Sequence, residues 1–231
     1  MSEPKILDRL KNEEIVISGR LIDASNATLF GYLKDDENMK IIYKPVAGER
    51  PLWDFPDGSL AAREYAAFLF SEIFGFKIVP ETVLRDGPFG FGMVQRWIDD
   101  AQPENLIEIA QSESAEIRKM ILFDSLINNA DRKYGHILIV DGQQILGCDH
   151  GIAFHFEDKL RTVLWQYSGD SLNMDEIAIL NRVIDYKFDE FKELLSKSEI
   201  TAIGDRAFKL LETGKLPTPA SDRPAIPWPP V

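Results

Sequence analysis

Four side chains in this sequence, Lys44, Glu64, Asp131 and Asp149, are of the types that hold and transfer a phosphoryl group. That chemistry needs a cation on the phosphates, a carboxylate on a divalent ion and an acceptor that orients the nucleophile; positioning and electrostatics supply most of the rate. Lys44 closes the apolar run MKIIYKP, where a pleated strand aims it at one face. Glu64 follows on a helix and is the natural partner to hold it. Taken singly, a strand lysine more often faces solvent, and a helical glutamate is more often hydrated. The acidic loops carry more information. NNADRKYGHILIV (128–140) brings Asp131 out of a helix and into a β hairpin, and GCDHGIAFH (147–155) sets Asp149 between an apolar strand and Gly151. A glycine there lets the backbone bend away, so that the carboxylate can face a metal. A lone Asp-X-Gly is usually an Asx turn. Two acidic loops flanking one hairpin are much less ordinary.

The elements that must position these groups are legible in outline. IVISGRLI (15–22) and TLFGYL (28–33) read as strands joined by the polar turn DASNA, and MKIIYKP (39–45) as a third strand ended by Pro45. Residues 46–59 form a loop rich in Gly, Pro and Asp. The run 59–75 is predicted as a helix, with Ser59 at its N-cap and Gly75 just past its end. Strands are expected at 76–85 and 92–98, helix through 103–130, a hairpin at 136–140 and 144–148 turning at Asp141-Gly142, and two helices within 175–213. Strands with one helix, then helices around a hairpin, is an α+β plan of two lobes with a cleft between them. The expected division is about 10–98 for the first lobe and 99–216 for the second. The proline-rich end, 217–231, is either an extended interaction segment or a surface-packed terminus.

The motifs IYKPVAGE, AAREYAAFLFSEIFGFKIVPETVLRDG, NNADRKYGHILI and CDHGIAF, in that order, resemble the phosphatidylinositol 3- and 4-kinase superfamily. The likeness is greatest to the type II and plant-type 4-kinases, and the chain also resembles an uncharacterised actinobacterial family of such kinase-like proteins. The resemblance spans about residues 15–165 and implies a two-lobed protein-kinase-like fold using ATP with Mg2+ or Mn2+. By position, Lys44 is the phosphate-binding lysine, Glu64 its helical partner, Asp131 the catalytic-loop acid and Asp149 the metal ligand. Ser25, Asn26 and Thr28 fall on the phosphate-covering loop, and Gln95, Arg96, Trp97 and Ile98 on the hinge beside the adenine. Arg132 and Lys133 either support the transferred phosphate or are hydrated loop bases. The superfamily places a metal-binding asparagine where this chain has His136. Magnesium prefers oxygen, so the imidazole implies a softer ion such as manganese, a weakened site, or nucleotide binding without turnover.

Composition narrows the partners. A net charge of −12 with scattered basic residues argues against nucleic acid and anionic membranes. Cys148 is the only cysteine, which excludes an intrachain disulfide and any CxxC or four-thiolate site. The charged opening residues do not read as a signal peptide, and no apolar run suits a membrane span, so the expected setting is cytoplasmic. The expected activity is phosphoryl transfer from ATP to an alcohol group on a soluble protein or small molecule. The alternatives are a nucleotide-binding pseudokinase or sensor and, further down, a phosphoinositide kinase or an AMP transferase.

Overall fold

The computed structural model describes residues 3–21, 26–99, 101–140 and 144–231. Ser25 and the Asp141-Gly142 turn lie outside the described residues. Five antiparallel strands form one sheet in the order β1-β2-β3-β5-β4, namely β1 Ile15–Arg20, β2 Leu29–Leu33, β3 Asp36–Pro45, β4 Thr82–Gly87 and β5 Gly90–Arg96. The period of two along β3 sorts its side chains. Met39, Ile41 and Tyr43 pack with Val83 and Val94 against Ile6 and Leu10 of helix α1, Glu3–Asn12. Ile42 and Lys44 fall on the opposite face, toward helix α2, Leu60–Ile73.

Helix α1 was not foreseen by reading the opening residues as merely charged. Its apolar positions, Ile6, Leu7 and Leu10, close the outer face of the sheet. Arg85 of β4 donates to the carbonyls of Leu10 and Glu13 at 2.9 and 2.7 Å, which satisfies the helix end.

A strand was expected over 76–85, but β4 starts only at Thr82. Lys77 has φ +53° and Pro80 lacks a donor, so neither fits a central strand. Instead Phe76, Ile78 and Val79 enter the core of the helical lobe, and the Ile78 carbonyl accepts from Gly147 N at 2.6 Å.

The helical stretch 103–130 divides into α3, Leu106–Gln111, and α4, Ala115–Ile127. Ser112 to Ser114 separates them, and the Ser114 hydroxyl caps α4 by accepting from Ile117 N at 3.2 Å. The hairpin follows as β6, Ile137–Val140, and β7, Gln144–Gly147. Helices α5, Met174–Asp185, and α6, Lys197–Thr213, each begin with a capping box, Asn173/Glu176 and Ser196/Glu199. Among the described residues no helix is long and apolar enough to cross a membrane.

The proline-rich end is packed. The Ala225 carbonyl accepts from Thr162 N and from Trp165 Nε1, both at 3.0 Å, and the Pro230 carbonyl accepts from Tyr134 N at 2.9 Å.

Candidate active site

Lys44 reaches from β3 across to α2, where its Nζ lies 2.6 Å from Glu64 Oε1 and 2.7 Å from Asp149 Oδ1. The second Glu64 oxygen accepts from the His150 main chain at 2.8 Å, tying α2 to the loop after β7. Burial opposes the charge on Lys44, but the Asp149 and Glu64 carboxylates outweigh it and hold the ammonium well above the ordinary lysine range. Burial also raises Glu64. Asp149 is half-open to solvent at the cleft mouth, yet the adjacent Lys44 ammonium overcomes its desolvation and lowers it below the usual carboxylate range.

Helix α2 was expected to be capped by Ser59. Its hydroxyl instead donates to the Pro56 carbonyl at 2.6 Å. The cap is Glu49, whose carboxylate accepts from Leu60 N and Ala61 N at 3.0 and 2.8 Å. A carboxylate suits a helix N-terminus, and Glu49 therefore fixes the start of the helix that carries Glu64. Gly75, φ +78°, ends the helix in the left-handed turn its position implied.

Asp131 and Asp149 come from the two loops flanking the β6–β7 hairpin, and His136 joins them. His136 Nδ1 is 2.8 Å from the Asp131 carbonyl, and Nε2 is 3.3 Å from Asp149 Oδ2. A carbonyl only accepts, so Nδ1 carries the proton. Burial lowers the His136 pKa, so the ring is neutral and its Nε2 lone pair faces a carboxylate oxygen. Two electron-pair donors at 3.3 Å fit adjacent positions around one divalent ion, which octahedral magnesium or manganese geometry sets about 3 Å apart. Asp131 is pushed upward by burial, with Lys133 pulling the other way; its Oδ2 is 3.4 Å from Lys133 Nζ.

Asp149 sits at φ +59°, a left-handed conformation that Asp tolerates better than bulkier residues. Beneath it lies Arg132, fully buried. Its Nε and Nη2 pair with both oxygens of Asp124 at 2.8 Å; Nη1 donates to the His136 and Cys148 carbonyls, and Nη2 to His150 Nε2 at 2.8 Å. Arg132 is thus the brace joining the two acidic loops, and not a group presented to a phosphate. An added Cβ at Gly147 would stand 2.9 Å from Arg132 Nη2, which explains the glycine. Asn129 completes the brace, donating to Asp124 Oδ1 and accepting from Asp131 N, both at 3.0 Å. Asp124 lies inside an apolar helix, and spacing alone gave no reason to single it out.

The remaining expected site residues are more committed to the fold. Gln95 is buried and donates to Thr82 Oγ1 at 2.9 Å; Arg96 pairs with Glu81 at 2.5 Å. Trp97 packs edge-on to Phe30 at 5.3 Å, and Ile98 joins Ala101, Leu138, Val140 and Leu146 in a small apolar cluster. Asn26 Oδ1 accepts from Arg50 N at 2.8 Å, and Thr28 is buried where the Leu21 main chain donates to its carbonyl. A hydroxyl displayed on an open phosphate-covering loop is therefore not what Thr28 provides.

The insertion after the lysine strand bridges the lobes. Asp54 pairs with Lys159 at 3.0 Å, Lys159 Nζ lies 5.0 Å from the exposed Trp53 ring, and the Phe55 and His155 rings meet at 5.3 Å. A cavity of about 330 Å3 under this insertion is lined by Val46, Arg50, Phe55 and Leu60 and does not include Lys44, Asp131 or Asp149.

No family profile matches the sequence. Protein Rv2133c of Mycobacterium tuberculosis (strain ATCC 25618 / H37Rv) is 38% identical, the match covering 95% of this chain and 93% of the relative. The chain belongs to the family of that mycobacterial protein. Among solved structures, the Golgi casein kinase shares the fold with a TM-score of 0.62 at 14% identity, over 92% of this chain and 75% of the other. The same enzyme with Mn/ADP bound gives 0.60 at 14%, over 91% and 74%. Hydra Fam20 with sugar gives 0.62 at 13%, over 92% and 88%. This chain thus has the expected α+β, kinase-like fold.

Proposed function

We propose that this protein is an ATP-dependent phosphotransferase acting on a hydroxyl of a soluble protein or small molecule. One observation carries the reading: Lys44 Nζ lies between Glu64 and Asp149 while Asp131 and His136 stand on the same cleft. Lys44 would hold the nucleotide phosphates. Asp149, with His136 beside it, would hold a divalent ion that neutralises charge on those phosphates. Nitrogen in that donor pair favours manganese over magnesium, and the Golgi casein kinase likeness includes an Mn/ADP complex. Ile98, Leu138 and Leu146, which pack together in one apolar cluster, would supply a floor for the base. Asp131, made more basic by burial, would take or orient the acceptor proton. The net charge of −12 supports a soluble acceptor over a phosphoinositide in an anionic membrane.

A second reading, nucleotide binding without turnover, draws on a different observation. A histidine, His136, and not an oxygen donor, stands beside Asp149, and magnesium prefers oxygen ligands. Incubation with ATP and manganese separates the readings. Turnover that falls on the order of 10²–10⁴-fold in Asp131→Asn, with ATP affinity retained, supports the transferase. Saturable ATP binding with no turnover supports the sensor, and an adduct of AMP mass on the acceptor would replace phosphoryl by nucleotidyl transfer. Equal turnover in the wild type and Asp131→Asn would remove Asp131 from the mechanism.

A further inference from the structure

Away from the cleft, the helical lobe holds a cavity of about 310 Å3 between α6, the 158–169 segment and the proline-rich end. Four basic side chains line it, Arg206, Lys209, Lys215 and Arg223, against one acid, Asp158. In a chain of net charge −12, that is a local reversal of sign. Two donors on these wall residues, Arg206 Nη2 and Arg223 Nε, are buried without a hydrogen-bond partner among the described residues.

The rest of each guanidinium is fixed. Arg206 Nε donates to the Leu126 carbonyl at 2.8 Å and Nη1 to the His155 carbonyl at 3.2 Å, while Arg223 Nη2 pairs with Asp158 at 3.0 Å. Arg9, Arg118 and Arg132 each bind a carboxylate directly and are raised. Arg206 has no such partner, and burial pushes it down to about 10. A buried charged donor left unsatisfied is costly, and an anion brought to it removes that cost.

We propose that this cavity is a binding site for a small phosphomonoester, whose phosphoryl oxygens satisfy Arg206 Nη2 and Arg223 Nε. Guanidinium edges suit a dianion with several acceptor oxygens. Lys209 and Lys215 add positive charge, and Trp165 and Leu210 give an organic body an apolar wall. The volume is at the small end for ligand sites, which suits one phosphate on a ring-sized body and not a polymer. Arg206 holds Leu126, at the end of the helix leading to Asp131, and His155, beyond Asp149. An occupant would therefore steady the side chain that ties the end of α4 and the segment after Asp149 to α6. The inference does not rest on the phosphotransfer reading.

Titration calorimetry of the full chain, without nucleotide or divalent ion, tests it with inorganic phosphate and phenyl phosphate. Both are expected to bind saturably, phenyl phosphate tighter by on the order of tenfold for its buried ring. Lys215→Gln/Arg223→Gln should weaken both by tenfold or more. Lys209→Glu, on the exposed face of α6, should do the same in direction without disturbing the fold, and Asp149→Asn should change nothing. No saturable binding in the millimolar range, equal affinity in the folded variants, or loss of binding in Asp149→Asn would each overturn the assignment.

Discussion

Replacing Lys44 by Met tests the centre of the site through stability, without knowledge of the acceptor. The side chain stays unbranched, ends one atom earlier and loses the charge that serves two carboxylates. The two are not equally exposed: the Glu64 side chain is 2% accessible and that of Asp149 48%. Water re-solvates Asp149 at once, so the cost falls on Glu64. Breaking a buried pair by removing one partner costs about 3–5 kcal/mol. The low end, about 3 kcal/mol, applies because Glu64 can take up a proton and so discard its charge. Burial already raises its pKa, and loss of Lys44 raises it further. A carboxyl whose folded pKa lies above its unfolded value destabilises at high pH and is relieved as pH falls through the folded pKa. Urea unfolding of Lys44→Met should therefore show a deficit at pH 7.5 that shrinks by pH 5.5. Adding Glu64→Gln should recover about half of it, since no charge is then stranded. A Lys44→Met protein within 0.5 kcal/mol of the wild type (roughly the scatter of neutral surface changes), or one made worse by Glu64→Gln, would refute the argument.

Other outcomes follow from the same geometry. His136→Asn replaces a nitrogen ligand by oxygen and should move the metal preference for ATP binding from manganese toward magnesium, read as the ratio of the two affinities. Gly147→Ala puts a methyl against Arg132 and should lower stability by about 2 kcal/mol, seen as a fall in Tm, while Gly135→Ala, with open space at its Cβ, should be near neutral. The Cys148 thiol is pushed up to about 12 by burial and by Asp149. Iodoacetamide at pH 8 should modify it on the order of a thousandfold more slowly than in the urea-unfolded chain. Rapid modification of the folded protein would mean that the loop beside Asp149 opens.

The loops that carry Asp131 and Asp149 were legible because their chemistry is local: a carboxylate, a glycine and an apolar strand within a few residues. Lys44 and Glu64 were legible as types, and their meeting depended on tertiary structure. What stayed hidden was of another kind. Glu49 reads as a loop acid, since nothing nearby says that a helix eleven residues on lacks a cap. Arg132 reads as a phosphate support or a solvated base, because its five hydrogen bonds go to Asp124 of α4, to two carbonyls and to His150. The apolar alternation that suggested a strand at 76–81 is real but serves burial in the other lobe, and Lys77 and Pro80 forbid the ladder. Thr28 and Gln95 have the right polarity for a nucleotide site, yet both are buried.

The docked proline-rich segment bears on where this protein can be shortened. Its carbonyls at Ala225 and Pro230 serve donors on Thr162, Trp165 and Tyr134, the last of these three residues past Asp131. Trimming at Leu216 would leave those donors to water and open the wall beside Arg206. A chain ended at Leu216 is accordingly expected to melt at lower temperature and less cooperatively, and should be judged by its melting before any loss of activity is assigned to chemistry.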